Sequence, residues 1–471
     1  MRHRPGGNIQ LNQMSAKSNI VSGTDPRKDA LCILTALNDT RKTLDLLLED
    51  MDKHEYKDSR DRALLNTLVY GVLRWKGKLD WVIQYFSHIR LKKIDPKVLN
   101  ILRLGLFQIL YLDRVPVSAA VNTSVELTKQ EAAPWIVKFV NAVMRKMSVK
   151  PMHLPDPFAN VSCTAGMSVE KSFPEWLIIR WVNRFGIAET KSLCDAINEL
   201  PPITVRTNTL RTDREQLQRE LETSVEQVYS TPHAPEGLSL IGTNTSIGRI
   251  PAFTKGLFQV QDEAAQLIAH LTGPQPGESI LDACAGRGGK TGHLAQLMEN
   301  KGQIVAMDIN ADKLRRLQKE MERLGIGIVT TVTADLNAVP ALGTFNPFDR
   351  ILLDAPCSGL GVLRRNPDTK WRVSEKDLKR NGQRQVLFLD HLSHLLKPGG
   401  ILVYVVCSTE PEENEAVVEK FLASHANYGI APVQSGCDSE KVFLTDNNCY
   451  RSFPHRHRMD GFFGARFRRR E

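Results

Sequence analysis

The sequence lacks any apolar run long enough to cross a membrane. Among its 471 residues, the apolar stretch 401–407 is only strand length, whereas a membrane helix needs about 18 apolar residues. A Cys-x-x-Cys pair is also absent: the eight cysteines, at positions 32, 163, 194, 284, 357, 407, 437 and 449, are scattered. This argues against a zinc ribbon or a disulfide framework. We therefore expect a soluble, cytoplasmic protein with no membrane partner and no bound metal.

Acidic residues are in the minority. The chain has 53 Asp plus Glu against 62 Lys plus Arg, a net charge of +9 and a pI near 9.1. Such a surplus indicates a polyanionic partner, because phosphates attract basic side chains, although many basic proteins bind nothing anionic. The 42% hydrophobic and 24% charged residues are close to the globular average, which excludes wholesale disorder. The length predicts about three domains.

The first part of the chain predicts a leader and a helical domain. Residues 1–24 contain no acidic residue and no apolar core of a secretory signal, which favours a disordered leader. Over residues 25–149, apolar residues recur at the spacing of one buried helical face, as at Leu64 and Leu68. Residues 150–173 are proline-rich and have few periodic apolar positions, which predicts a linker.

The remainder predicts two α/β units. Residues 174–254 combine a helix that opens at Pro174, a strand at 203–208 and a helix at 214–222, which indicates a small α/β module. From residue 255 onwards, strands alternate with helices, as is typical of a mostly parallel sheet with helices on both faces. Ligands of such sheets bind outside the carboxyl ends of the strands, so a site is expected there.

Acidic residues follow successive strands of this predicted sheet. Asp308, Asp335 and Asp354 end or follow three strands. The strand before them leads into a glycine-rich turn made of Cys284, Ala285, Gly286, Arg287, Gly288, Gly289 and Lys290. Glycines let a ligand approach the backbone, and a carboxylate such as Asp308 suits the ribose hydroxyls of an adenosine ligand. Because Cys284 replaces the first glycine of a P-loop, a Walker A site is excluded, while NAD and S-adenosylmethionine both remain compatible.

Two cysteines end or follow strands of the same sheet. Cys357 lies in Asp-Ala-Pro-Cys-Ser-Gly, which begins at Asp354, and Cys407 lies in Val-Val-Cys-Ser-Thr-Glu. A single buried cysteine is usually an inert small hydrophobe. Two of them beside an aspartate and a nucleotide-type turn indicate a chemical role.

Together, these motifs resemble the RNA cytosine-5 methyltransferases that use S-adenosylmethionine. In that family the glycine turn, the acidic strand ends, Asp-Ala-Pro-Cys and a second Cys-Ser/Thr motif occur in this order, and the similarity covers residues 171–471. Residues 121–129, Val-Asn-Thr-Ser-Val-Glu-Leu-Thr-Lys, resemble the RNA-binding antitermination factor NusB. A NusB-like domain joined to such a catalytic domain is typical of the RsmB/Sun type of 16S ribosomal RNA methyltransferases.

The resemblance implies a multidomain fold with three parts. These are an all-α NusB-like RNA-binding domain at residues 25–149, a small α/β RNA-binding module at 174–254 and a Rossmann-like α/β methyltransferase domain at 255–471. It implies transfer of a methyl group from S-adenosylmethionine to carbon 5 of a cytosine in small-subunit ribosomal RNA, by an enzyme expected to be monomeric. The chain departs from the family at Gly286-Arg287, where Ala-Pro is usual, so we expect a looser turn with an added charge.

The resemblance also implies catalytic roles. Cys407 would add to carbon 6 of the cytosine, which turns carbon 5 into a nucleophile able to take the methyl group. Cys357 would assist proton removal from carbon 5 and release of the adduct, and Asp354 would contact the base. Lys290 would lower a thiol pKa or contact the target nucleotide; a solvated lysine at a helix start is the alternative.

For the ligands, the resemblance implies that residues 284–290 surround the methionine end of the cofactor. Asp308 would bind the ribose, Asp335 would lie near the adenine, and Asp354 would border the same site. Arg364 and Arg365 would contact RNA phosphates.

Three alternatives remain open. A transfer-RNA cytosine-5 methyltransferase would use the same chemistry, but the NusB-like domain argues against it. A non-catalytic RNA-binding assembly factor is disfavoured by the intact Cys357, Cys407 and Asp354. A DNA cytosine methyltransferase would use the cysteine of its Pro-Cys motif as nucleophile and would not need Cys407.

Overall fold

The computed structural model describes residues 25–39, 42–52, 59–149, 154, 156–243, 245–338, 346–432 and 443–471. The predicted leader and Cys437 lie outside these ranges. The described residues form two compact units. The first comprises those up to Val72 and from Phe86 to 149, and the second comprises Leu73–Tyr85 and those from 154 onwards. No helix within the described ranges is both long enough and apolar enough to span a membrane.

The first unit is all-helical, as predicted. Its central helix, α4, begins after Asp95, whose carboxylate accepts hydrogen bonds from the backbone N–H groups of Lys97 and Val98 at 2.9 and 3.2 Å. This is a helix N-cap, and proline at the first helical position reinforces it. The helices are α1 Pro26–Asp39, α2 Leu44–Asp52, the first part of α3 Ser59–Phe86, α4 Pro96–Tyr111, α5 Val117–Glu131 and α6 Pro134–Val149, with a 3-10 turn at Leu91–Lys93.

The second unit begins with the middle of α3. There the carbonyl oxygens of Leu73 and Arg74 accept hydrogen bonds from Trp371 Nε1 and Lys370 Nζ at 2.7 and 2.8 Å. Two further helices follow, α7 Cys163–Lys171 and α8 Glu175–Asn198. Helix α7 lies inside the segment that the sequence indicates as a linker; it forms because Ser162 caps its first turn and its apolar face packs into a buried cluster around Trp181.

A small antiparallel sheet comes next in this unit. Its elements are β1 Ile203–Thr207, α9 Arg214–Leu221, β2 Val225–Ser230, β3 Gly237–Thr243, α10 Pro251–Thr254 and β4 Phe258–Val260, with a 3-10 turn at Ile247–Arg249. The strand order is β2-β3-β1-β4, and all three pairings are antiparallel. Helix α9 covers one face through the buried Leu217 and Leu221.

The large mixed sheet forms the rest of the unit. Its elements are α11 Glu263–Thr272, β5 Ser279–Asp282, α12 Gly289–Leu297, β6 Gln303–Asp308, α13 Ala311–Leu324, β7 Val329–Thr333, β8 Phe348–Asp354, α14 Thr369–Arg372, α15 Glu375–Ser393, β9 Leu396–Val406, α16 Glu415–Ser424, β10 Tyr428–Ile430, β11 Tyr450–Arg451, α17 Pro454–His457 and β12 Phe463–Arg469, with a 3-10 turn at Pro411–Glu413. The order is β10-β12-β9-β8-β5-β6-β7, and β11 pairs with β12.

The strand order creates a switch point between β5 and β8. The chain runs outward from β5 to β6 and β7 and then returns to β8 on the other side of β5, with all these neighbours parallel. The pairing of Asp354 with Val405 places the segments after β8 and β9 side by side. The predicted three-part fold class is confirmed, and the switch point is where such sheets bind ligands.

Candidate active site

A cleft of about 430 Å³ opens at the carboxyl ends of the parallel strands. This volume lies in the range of ~300–1,000 Å³ that is usual for small-molecule sites. The structure brings seven of the residues singled out from the sequence to its wall: Cys284, Gly286, Asp308, Asp335, Asp354, Cys357 and Cys407. Sequence reasoning missed other lining residues, among them Ile309, Lys313, Arg384 and Phe388. Ile309 is 65% exposed; its position directly after the acidic end of a strand was the signal available in the sequence.

The glycine-rich turn approaches the cleft through its backbone. Gly286 has φ +58°, a left-handed conformation that favours glycine, and its N–H donates to Asp308 Oδ2 at 3.0 Å. Gly288 has φ +84°, and a Cβ there would lie 2.7 Å from Leu317 Cγ. Gly286 and Arg287 stand where the family usually has Ala-Pro. The turn that they form is held to Asp308 by the hydrogen bond from Gly286, so it is less loose than expected, and the added charge of Arg287 is exposed. Ala285 is buried, and helix α12 starts at Gly289.

Backbone N–H groups hold two acidic side chains of the cleft: Asp308, the last residue of β6, and Asp335, in the loop after β7. Besides the bond from Gly286, Asp308 accepts one from Asn310 N, at 2.8 Å on Oδ1. Asp335 Oδ1 accepts one from Asn337 N at 2.9 Å. A carboxylate oxygen has two lone pairs, so each carboxylate can still accept hydrogen bonds from a ligand. Both are suited to binding hydroxyl or amino groups.

Lys290 and Asp354 form an ion pair beside the cleft. Lys290 Nζ lies 2.6 Å from Asp354 Oδ2, and the two side chains are 12% and 31% exposed. Burial lowers the pKa of Lys290, but the charge of Asp354 and its hydrogen bond more than offset this, so the pKa is raised overall. The lysine is therefore a largely covered cation paired with Asp354, not a solvated helix-start residue.

The two cysteine sulfurs meet at the end of the cleft. Cys357 Sγ and Cys407 Sγ are 3.2 Å apart, because the register of Asp354 with Val405 carries the two following loops along the same edge. The hydrogen bond with Cys407, together with burial, raises the pKa of Cys357 well above its ordinary value. Cys357 therefore holds its proton more strongly than an ordinary cysteine does.

Glu413 braces both cysteine-bearing loops. It is fully buried, and its carboxylate accepts hydrogen bonds from Ser358 N at 2.7 Å, Ser358 Oγ at 2.5 Å, Ser408 Oγ at 2.5 Å and Asn381 Nδ2 at 3.0 Å. Because Ser358 and Ser408 directly follow the two cysteines, this one carboxylate fixes the position of both sulfurs. Sequence reasoning assigned no role to Glu413, although a run of acidic residues after the second cysteine pointed to it.

Asp282, at the end of β5, is structural rather than part of the cleft wall. It is 1% exposed, and Thr291 Oγ1 donates a hydrogen bond to its Oδ2 at 2.7 Å. Burial raises the pKa of Asp282 to about 7. The hydrogen bond between Thr291 and Asp282 attaches the start of α12 to the end of β5.

The two arginines predicted to contact RNA phosphates are instead engaged inside the chain. Arg364 is 5% exposed, and its Nε donates to Asp460 Oδ1 at 3.2 Å. Arg365 binds Asp262 Oδ2 at 2.7 Å and Asp460 Oδ2 at 3.0 Å. Their charges are balanced by the buried Asp460 and the partly buried Asp262, so they hold the loop after Cys357 in place. The C-terminal Arg466 is likewise buried, within β12.

Comparisons with known families match three consecutive parts of the chain. A family model described as NusB matches residues 24–149. A second, described as the ferredoxin-like domain of RsmF/B-like methyltransferases, matches residues 173–245. A third, described as 16S rRNA methyltransferase RsmB/F, matches residues 269–468.

Similar proteins align over nearly the whole chain. A protein of Synechocystis named as a probable ribosomal RNA small subunit methyltransferase B is 35% identical, over 94% of this chain and 99% of its own length. One of the same name from Bacillus subtilis is 33% identical, over 95% and 99%. A solved structure titled PH0851 has a TM-score of 0.79 at 27% identity and covers 94% of this chain and 99% of its own. The structure of NSun6 from Pyrococcus horikoshii with SFG has a TM-score of 0.56 at 25% identity, over 64% and 99%.

Proposed function

The chain belongs to the family of 16S rRNA methyltransferases RsmB/F, and we propose that it methylates carbon 5 of a cytosine in small-subunit ribosomal RNA, with S-adenosylmethionine as the methyl donor. The observation that carries the choice of carbon 5 is the pair of sulfurs 3.2 Å apart at Cys357 and Cys407. Methyl transfer to a nitrogen or an oxygen needs no thiol nucleophile. Methyl transfer to carbon 5 does need a thiol nucleophile, because carbon 5 becomes nucleophilic only after a thiolate has added to carbon 6.

The methyl donor fits the cleft by the chemistry of its walls. S-adenosylmethionine would supply an electrophilic methyl group on a sulfonium ion. Asp308 would accept hydrogen bonds from the ribose hydroxyls, and Asp335 would bind the adenine amino group. Ile309 and Phe388 would cover the adenine ring of the donor, and the turn at Gly286 would border its methionine end. These residues bind and orient the donor and take no part in bond making.

Cys407 is the nucleophile in this proposal. Its thiolate would form a bond to carbon 6, and the electron pair of the carbon 5–carbon 6 double bond would then attack the methyl carbon from carbon 5. The bond from that methyl carbon to the donor's sulfur would break at the same time, and its electron pair would stay on the sulfur of the departing thioether. Asp354, oriented through Oδ2 by Lys290, would bind the cytosine through Oδ1 and support the charge that develops on the ring. The strongly held proton of Cys357 supports assigning the attack to Cys407.

Cys357 completes the cycle. After methyl transfer, carbon 5 loses its proton, the carbon 5–carbon 6 double bond re-forms, and the bond between carbon 6 and Cys407 Sγ breaks. Cys357 enters this step as a thiol: its sulfur takes the proton from carbon 5 while its own proton passes to the departing sulfur of Cys407, 3.2 Å away, so Cys357 is a thiol again at the end. Glu413 would keep the two sulfurs at this distance.

The RNA would reach the site as an unstacked base. A cytosine inside a helix cannot present carbon 6 to a buried sulfur, so the target must be flipped out or already single-stranded. The net charge of +9, the NusB-like unit and the ferredoxin-like module support binding to the ribosomal RNA backbone. We expect the enzyme to act in the cytoplasm as a monomer.

Nucleoside analysis tests the proposal. The full-length protein is incubated with S-adenosylmethionine and 16S ribosomal RNA that lacks the modification, and the RNA is digested and analysed by mass spectrometry. We expect one 5-methylcytidine per RNA with the wild type, none with Cys407→Ala, and the wild-type amount with Cys163→Ala, an exposed cysteine outside the cleft. A methylated base other than 5-methylcytidine, or undiminished product from Cys407→Ala, would contradict the proposal.

A further inference from the structure

Three potential metal ligands converge where the small module packs against the large-sheet domain. Glu236 lies just before β3, His270 is in the last turn of α11, and His293 is in α12. One ligand atom from each side chain lies within 4.8 Å of the other two. We propose that these residues form a binding site for a divalent transition-metal ion, preferentially Zn²⁺. This proposal is independent of methyl transfer and revises the expectation from the sequence that the chain binds no metal.

The distances between the three ligand atoms are close to those in a zinc site. Glu236 Oε2 lies 3.0 Å from His270 Nε2 and 3.7 Å from His293 Nε2. Ligands bound to zinc at about 2.0–2.1 Å in a tetrahedron lie roughly 3.3–3.4 Å apart. The two separations from Glu236 Oε2 fall on either side of that value, and the ligand atoms of the two histidines lie within 4.8 Å of each other, so small side-chain rotations would bring the three ligands to a common ion.

His293 gives an independent indication of a missing partner. It is 1% exposed, and neither ring nitrogen has a hydrogen-bond partner within ordinary limits among the described residues. The backbone of Gln266 faces the ring and favours its protonated form, but no hydrogen bond of ordinary geometry joins them. Buried polar groups are nearly always satisfied. The hydrogen bond between Glu236 and His270 gives both of these side chains a partner, but it gives none to the buried imidazole of His293. A metal ion would provide that partner by binding His293 Nε2.

The donor set and its surroundings select the class of metal. Two imidazole nitrogens and one carboxylate oxygen favour zinc and its transition-metal neighbours over Ca²⁺ and Mg²⁺, which prefer oxygen ligands. Arg206 is buried nearby, and its positive charge acts on Glu236 and His293. Because this charge repels any cation, the site would hold only an ion that binds its ligands strongly. The side chains of Glu236 and His270 are 13% and 20% exposed, so a water can reach the fourth position.

The placement gives the metal a structural role. His293 belongs to α12, the helix that starts at the cofactor turn with Gly289 and carries Lys290. Glu236 belongs to the small module. A bound ion would therefore join the module to the helix that borders the cofactor and would stabilise that junction, because metal binding adds to the stability of the folded state.

Zn²⁺ affinity of the full-length protein tests the site. The protein is stripped with a chelator, and Zn²⁺ binding is measured by competition with a chromophoric chelator for the wild type, Glu236→Gln and His293→Gln. The matched control is Glu189→Gln, because Glu189 Oε1 also lies 3.0 Å from a histidine, His455, and no second histidine is grouped with it among the described residues. Co²⁺ replaces Zn²⁺ in a parallel titration, in which its visible absorption reports the coordination.

We expect one Zn²⁺ per wild-type chain and the same affinity in Glu189→Gln. Glu236→Gln and His293→Gln should each bind at least about tenfold more weakly, since each lacks one ligand. The Co²⁺ spectrum should be that of a site with nitrogen and oxygen ligands and no thiolate band. The proposal would be overturned by absence of stoichiometric binding to the wild type, by equal affinity in all four proteins, or by a thiolate band, which would place the metal on cysteines.

Discussion

Replacing Glu413 should disable catalysis without weakening cofactor binding. In Glu413→Ala the four groups that donate to this carboxylate lose their acceptor. The hydroxyls of Ser358 and Ser408 can rotate to other partners, whereas Ser358 N–H and Asn381 Nδ2 cannot. At about 1–3 kcal/mol for each unsatisfied buried donor, the loss is roughly 2–6 kcal/mol. That is a large fraction of the ~5–15 kcal/mol stability of a typical domain.

Glu413→Gln separates catalysis from folding. The amide keeps the volume and one acceptor oxygen, so the expected loss of unfolding free energy is only about 1–2 kcal/mol. The two sulfurs are no longer fixed by a shared carboxylate, and kcat should fall about 10–100-fold. The Kd for S-adenosylmethionine should stay within a factor of two or so of the wild type, since Asp308 and Asp335 are ordered by other loops.

The assay combines single-turnover methyl transfer, calorimetric titration with S-adenosylmethionine and chemical unfolding, with Glu419→Gln on the exposed face of α16 as the matched control. Wild-type kcat in a folded Glu413→Gln would refute the bracing role. A parallel loss of cofactor affinity would show that the carboxylate supports the whole cleft rather than the sulfurs.

Three further predictions concern single residues of the same domain. Asp308→Ala should weaken S-adenosylmethionine binding by about 10–100-fold, because a charge-assisted hydrogen bond is worth ~1.5–3 kcal/mol; calorimetry should show no change in the control Asp312→Ala, which is exposed on α13. Lys290→Met should slow adduct formation about 10–100-fold in rapid-quench experiments, because Asp354 loses its partner at 2.6 Å. With a pKa of about 7, folded Asp282 retains a proton that the unfolded chain releases near its ordinary pKa, so its contribution to stability falls as pH rises between about 4 and 7. Chemical unfolding across that range should show wild type losing up to about 1.4 kcal/mol per pH unit relative to Asp282→Asn; parallel pH dependences would contradict it.

The sequence allowed the strand-end residues to be predicted because the geometry of a parallel sheet leaves little choice. Residues that follow parallel strands share one edge, so Asp308, Asp354, Cys357 and Cys407 had to lie near one another once the alternation of strands and helices was recognised. The glycine turn was predictable for the same reason, since the conformation of Gly286 follows from a sharp turn between a strand and a helix.

Pairings between distant segments could not be predicted in this way. Arg364 and Arg365 resemble phosphate-binding residues in sequence, and only the fold brings Asp262 and Asp460 against them from positions about a hundred residues away. The cluster around His293 likewise joins three separate segments. Local composition predicts the elements, but the partners of a charged side chain depend on tertiary packing.

The most direct test of the mechanism is covalent trapping of RNA by the two cysteine variants. Full-length Cys357→Ala and Cys407→Ala are incubated with labelled S-adenosylmethionine and 16S ribosomal RNA and analysed by denaturing electrophoresis. Cys357→Ala should accumulate a protein–RNA adduct that contains the transferred methyl group, because Cys407 can attack but the adduct cannot be resolved. Cys407→Ala should form none. An adduct with Cys407→Ala and none with Cys357→Ala would reverse the roles of the two sulfurs, and absence of adduct from both would contradict covalent catalysis.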